Sequence, residues 1–189
     1  MDYKDFFKAI QNDAVSGAYL LHGAEEYVKE SALSKLIANV DASVRDMNVD
    51  HLFAAGAKEI VLACETLPFL ANRRVVVVRA LPKEADAEEL KAYIDNVPPQ
   101  TVLIFFIRGA ADTRLAFVKA IEAANRAIVF ATLSEYDAAR WIRQRANACG
   151  VTISEQDADF FVSLAGTDCA KLNSEFQKAA AYAGDGNAV

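Results

Sequence analysis

Cysteine and histidine are scarce in this chain: three cysteines (Cys64, Cys149, Cys169) and two histidines (His22, His51) in 189 residues. No C-x-x-C occurs, so no metal site is expected. The cysteines stand far apart among apolar residues in helical patterns, which predicts buried, reduced thiols. Nothing local supports a Cys/His nucleophile pair. Long apolar runs are missing too. No window reaches the roughly 18 uninterrupted apolar residues of a membrane span. The opening stretch MDYKDFFKAIQND is charged and periodic, unlike a signal peptide, so the expected location is the cytoplasm. Positive charge is in deficit. A net charge of −6 argues against whole-surface affinity for DNA or lipid, while leaving room for a local basic patch. Internal repeats and low-complexity tracts are absent.

What remains is an ordinary globular composition, 53% apolar and 24% charged, in a chain long enough for one large domain or two small ones. Four apolar runs read as strands: Tyr19–Leu21, Arg74–Arg79, Val102–Ile107 and Ala127–Thr132. Met47–Phe53 alternates and is a weaker fifth. Continuous β-branched and aromatic runs suit strands covered on both faces, as in a parallel sheet. Helical stripes lie between them: Val28, Ala32, Leu33, Leu36 and Ile37; Ile60, Cys64 and Leu67; Leu90, Tyr93 and Ile94; Leu115, Val118 and Ile121. The alternation predicts a doubly wound α/β domain over residues 1–133, with helices on both faces of the sheet.

From residue 134 the strands stop. Ala138, Trp141, Ile142 and Cys149 form one stripe, closed by Gly150. Ser154 opens a capping box with Asp157 ahead of Phe160, Phe161 and Leu164, and Gly166 ends that helix. Cys169, Leu172 and Phe176 recur at helical spacing. Residues 134–189 therefore read as a small three-helix domain. The final GDGNAV reads as an exposed linker, as expected of a piece of a longer protein.

The stretch LHGAEEYVKES (21–31) has the outline of a phosphate loop, G-x-x-x-x-G-K-[ST]. Gly23 and Lys29 fit. Val28 replaces the second glycine and obstructs close backbone approach, and Glu30 replaces the magnesium-binding hydroxyl. Glu25 and Glu26 lie where phosphates would sit, and are better read as first-turn carboxylates facing a helix dipole. No strand ends in a Walker B carboxylate: RVVVVRALP ends in Arg79 and VLIFFIRGAAD runs into Arg108. Asp112 reads as a helix cap and Lys29 as a solvated helix lysine. ATP hydrolysis and a bound nucleotide cofactor are not expected.

An α/β domain with a degenerate phosphate loop and a small helical domain behind it resembles an AAA+ module without its catalytic parts. The segments YLLHGAEEYVKESAL, TLPFLANRRVVVVR, ADTRLAFVKAIE and ARWIRQRANACGVTISEQDADFFVSLAGTDCAKLNSEFQKAAAYAGDG, in that order, resemble the delta subunits of bacterial DNA polymerase III, clamp-loader subunits that open the sliding clamp. The resemblance covers nearly the whole chain. It implies a partner set of the beta sliding clamp, the motor and delta prime subunits of the loader, and primed DNA within the assembly. The family's third, collar-forming helical domain has no counterpart here.

In that family two adjacent large apolar residues enter a hydrophobic pocket on the clamp. By resemblance the pair here is Phe69-Leu70, within Leu67, Pro68, Phe69, Leu70 and Arg73; many relatives place the aliphatic residue first. Pro68 stops the preceding helix and forces Leu67 into extended geometry, which would leave the pair on a turn. The same LPFL turn could instead pack on the core. Arg73 and Arg74 either flank the contact or are strand-edge charges. Arg140, Arg143 and Arg145 read as a solvated helix face, with a phosphate-facing patch as the alternative. Arg108 and Arg114 could face a neighbouring subunit, although no finger motif marks them. The alternatives to a clamp opener are an inactive AAA+-like scaffold subunit, such as delta prime, and a P-loop NTPase with an atypical site. The zinc cysteines and S-R-C motif usual in delta prime are missing.

Overall fold

The computed structural model describes residues 1–183. The GDGNAV stretch lies outside the described residues. The chain divides into two compact units, residues 1–130 and 131–189.

The first unit carries a five-stranded, all-parallel sheet in the order β2-β3-β4-β1-β5. Its strands are β1 (Gly17–His22), β2 (Val49–Leu52), β3 (Arg74–Val78), β4 (Thr101–Phe106) and β5 (Ala127–Val129). The helices are α1 (Tyr3–Gln11), α2 (Glu26–Ala38), α3 (Arg45–Asn48), α4 (Ala57–Glu65), α5 (Glu84–Tyr93) and α6 (Ala116–Ala123). Val75 to Val78 and Val102 to Phe106 are all buried, as a sheet covered on both faces requires.

Register explains the two faces. Ala18 pairs with Leu103 and Leu103 with Val76; Leu20 pairs with Phe105 and Phe105 with Val78. These side chains join Ile60 and Cys64 of α4, Leu90 of α5 and Phe117, Val118 and Ile121 of α6 in one core. Their neighbours along each strand point the other way. There the Tyr19 ring lies 5.3 Å from Phe6 of α1, and the Phe106 ring lies 5.2 Å from the ammonium of Lys29 on α2. The fold is thus the expected doubly wound α/β architecture.

The second unit holds α7 (Glu135–Ala148), α8 (Glu155–Ala165) and α9 (Cys169–Ala183), with no strand among its described residues. Ile142, Val162, Leu172 and Phe176 form its core. Ser134 and Ser154 cap α7 and α8, each hydroxyl accepting the N–H of the residue three positions on. Gly150 and Gly166 follow α7 and close α8 with φ of 73° and 85°, where glycine avoids the Cβ penalty. Cys149 departs from expectation: Cys64 and Cys169 are buried, but Cys149 is exposed, because it caps α7 outside the apolar stripe. Among the described residues no helix is long and apolar enough to cross a membrane.

Candidate functional site

The phosphate-loop region is folded shut on itself. Lys29 is fully buried, contrary to the solvated side chain expected from its place on a helix. Its Nζ donates to Ile107 O at 2.7 Å, to Glu26 Oε1 at 2.9 Å and to Gly23 O at 3.0 Å. These three bonds use all three donors of an ammonium. Glu26 also accepts the Gly109 N–H at 2.8 Å. Burial acts to raise the Glu26 pKa, but the Gly109 N–H and Lys29 outweigh it and hold the carboxyl below its ordinary range. Gly23 has φ +119°, and a Cβ there would stand 2.2 Å from Phe130 O. This glycine serves close approach to its own chain. Glu25 caps α2 through the Val28 N–H.

Charge is reversed where a nucleotide site would hold its metal. Glu30 stands at the hydroxyl position of the motif, and Arg79 ends the strand that would carry an acidic residue. The two pair directly, Nη1 to Oε1, at 2.8 Å. Arg79 also stacks over the Phe106 ring at 4.7 Å. Asp112 accepts from Arg114 backbone and side chain in a turn ahead of α6, whose cap position is Leu115, so it is not that helix's cap.

With Lys29 so placed, its replacement has a definite consequence. Lys29→Met keeps the stem but strips the buried Gly23 carbonyl, the part-buried Ile107 carbonyl and Glu26 of their donor. The first unit should lose about 3 kcal/mol of stability, read from urea unfolding. An unchanged midpoint would mean that these bonds contribute nothing net.

Among the described residues neither Cys64 nor His22 is set up as a nucleophile or a base. Burial pushes the Cys64 thiol up to about 12. Burial also pushes the His22 imidazole below its ordinary value; Glu122 opposes this and Lys29 adds to it. His22 Nδ1 accepts the Ala111 N–H at 3.2 Å, so it is engaged in the backbone. Among the described residues no cluster of His, Cys, Asp or Glu could hold a metal ion.

The hydrophobic turn is the opposite case. Helix α4 stops at Glu65, and Thr66 turns extended with ψ of 121°. Leu67 is therefore not the last member of a helical stripe. It is 71% exposed, Phe69 52% and Leu70 79%, with Pro68 half-buried between them. The turn does not pack on the core. Leu70 sits at φ +50°, a left-handed conformation that costs a non-glycine residue about 1–2 kcal/mol. Two further apolar residues, Met47 and Leu62, are 59% and 70% exposed.

Buried polar side chains hold the backbone of this turn and the helix end that leads into it. Asn48, fully buried at the end of α3, accepts the Phe69 N–H at 2.7 Å and donates to Phe69 O at 2.8 Å. Its amide also donates to Val44 O at 2.8 Å. Arg74, read from sequence as a surface charge, is buried. Its guanidinium donates to Ala63 O at 2.9 Å, Met47 O at 3.0 Å and Asp50 Oδ2 at 2.5 Å. Thr101 donates to Cys64 O at 2.9 Å. Arg74 and Thr101 thus satisfy two of the carbonyls that the end of α4 leaves open. Arg73 turns away from the turn's apolar side chains to Asp13, with Nη2 2.9 Å from Asp13 O and 3.0 Å from its carboxylate. The apolar members of the expected element come together on one turn, and the two arginines tie its base.

In the second unit, Arg145 donates to Asn173 at 2.9 Å and joins α7 to α9, whereas Arg140 and Arg143 are exposed. The three do not form one uniform solvated face.

The family model "DNA polymerase III, delta subunit" matches residues 19–132, more than half of the chain. DNA polymerase III subunit delta of Bacillus subtilis (strain 168) is 24% identical over 195 residues, which cover 96% of this chain and 56% of that protein. The chain thus spans little more than half the length of that relative. The solved structure of the Bacillus subtilis DNA clamp loader delta protein superposes with a TM-score of 0.76 at 22% identity, covering 99% of this chain and 59% of that one. That superposition supports the fold, and the family match extends from β1 through β5: the chain belongs to the DNA polymerase III delta subunit family.

Proposed function

We propose that this chain acts as a non-catalytic clamp opener in the DNA polymerase III clamp loader, docking Phe69 and Leu70 into an apolar pocket of the beta sliding clamp. The observation that carries the reading is the turn itself. Three large apolar side chains are held in water on a backbone that one buried side chain, Asn48, grips at Phe69. Single exposed leucines are common, but a clustered, fixed set with a strained Leu70 marks an interaction surface. Pro68 stiffens the turn. Arg73 and Arg74 act from beneath, as supports for the turn.

The phosphate loop supports the non-catalytic half of the proposal. Lys29 has its three donors engaged, and the Glu30–Arg79 pair replaces a metal-bridged hydroxyl and carboxylate. Nucleotide chemistry belongs to the motor subunits. With the delta prime subunit and primed DNA, they form the assembly in which this chain acts in the cytoplasm. The chain contributes differential affinity: docking that is tighter on the open ring shifts the clamp toward opening.

The test compares two clamps in calorimetric titration. One is the native ring; the other has a weakened ring interface and populates the open form. The opener reading predicts at least tenfold tighter binding to the second. Equal affinities would remove the opening role, because a ligand indifferent to two states shifts neither.

A further inference from the structure

The geometry points to Asn48 as a positioning residue for docking: its carboxamide clasps the Phe69 peptide and sets the turn in its binding shape before the clamp arrives. The inference rests on the docking reading above and adds to it a residue that contacts no partner.

The carboxamide is suited to this and few other side chains are. Asn48 Oδ1 accepts the Phe69 N–H, and Nδ2 donates to Phe69 O, so both polar groups of one residue's backbone meet one side chain. Its second amide hydrogen reaches Val44 O, which fixes the carboxamide's own orientation. The side chain is fully buried while the side chain it positions is half exposed. Leu70 follows immediately at φ +50°. A left-handed leucine in water relaxes readily to extended backbone. The clasp on the preceding residue opposes that relaxation, so that Phe69 and Leu70 stay on one turn. A turn ordered in advance loses less freedom on binding, which raises affinity without any new contact.

The experiment uses this chain and the purified beta sliding clamp. Asn48→Ala removes all three bonds. Asn48→Asp keeps the shape and one acceptor but loses both donations. Each is titrated into the clamp alone and in combination with Phe69→Ala/Leu70→Ala, and amide hydrogen exchange is followed at Phe69. Each Asn48 variant should bind about tenfold more weakly than the native chain. In the Phe69→Ala/Leu70→Ala background the Asn48 replacement should add no further loss. General destabilisation of the fold would not give that non-additivity. The Phe69 amide of the native free chain should exchange slowly despite its place on an exposed turn. Native-like affinity of both Asn48 variants, with Phe69→Ala/Leu70→Ala still weak, overturns the role of Asn48 and leaves the docking reading standing. Full binding by Phe69→Ala/Leu70→Ala overturns both. A fast-exchanging Phe69 amide in the native chain overturns the clasp even if no Asn48 variant can be purified folded.

Discussion

Replacing Phe69 and Leu70 together with alanine should lower affinity for the beta sliding clamp about a thousandfold and leave the fold intact. Each side chain filling an apolar pocket contributes roughly 2 kcal/mol to such an interface. Their sum, about 4 kcal/mol, corresponds to a factor near a thousand in Kd. In the free chain neither side chain is buried, so their removal opens no cavity. Exposed substitutions of this kind shift stability by about 0.5 kcal/mol or less. The variant should therefore keep its unfolding midpoint while losing its partner. Calorimetric titration beside a thermal melt reads both. A variant that binds normally would place the clamp contact elsewhere. One that melts early would mean the side chains pack more than their exposure indicates.

Arg74→Ala should do the reverse and damage the fold first. The guanidinium joins β3 to the last turn of α4, to α3 and to Asp50 on β2. Its removal leaves the Ala63 and Met47 carbonyls without this donor and Asp50 without its cation. Asp50 is partly solvated and recovers some of its loss in water, so the expected cost is about 3 kcal/mol, below the upper range for a fully buried pair. Hydrogen exchange of the β3 amides measures it. Arg74→Lys should recover only part, because an ammonium cannot present the planar fork that reaches three acceptors on different elements. Clamp affinity should fall as well, since the exit of α4 sets where the turn begins. An Arg74→Ala chain with native protection in β3 would show that other contacts fix that exit.

The strands were the most legible part of the sequence. RVVVVR and VLIFFI are continuous apolar runs because both faces of β3 and β4 are covered, and β2 was weak because it is an edge strand with partly exposed residues. The turn was only half legible: Pro68 announced a break after a helix, but the residues alone left open whether LPFL packs on the core, and the resemblance to the delta subunits is what singled out Phe69 and Leu70. Its supports were not legible. Asn48 lies 21 positions before Phe69, and no local pattern marks an asparagine as a clasp. Lys29 was misread because helical patterning treats lysine as polar, while its long stem runs inward to a carbonyl 78 positions away. Arg74 was misread because a charge at the start of a strand reads as an exposed edge, while its guanidinium turns in to carbonyls of α4 and α3. Cys149 failed differently: its apolar neighbours suggested burial, but its position beyond the last turn of α7 put it in solvent.

The family match and the closed phosphate loop leave docking as the claim on which the functional account depends. The most direct measurement is titration of the native chain into the beta sliding clamp at several temperatures. The account predicts saturable binding with a negative heat-capacity change, the mark of apolar side chains leaving water. Absence of binding, or binding without that heat-capacity change, would contradict it.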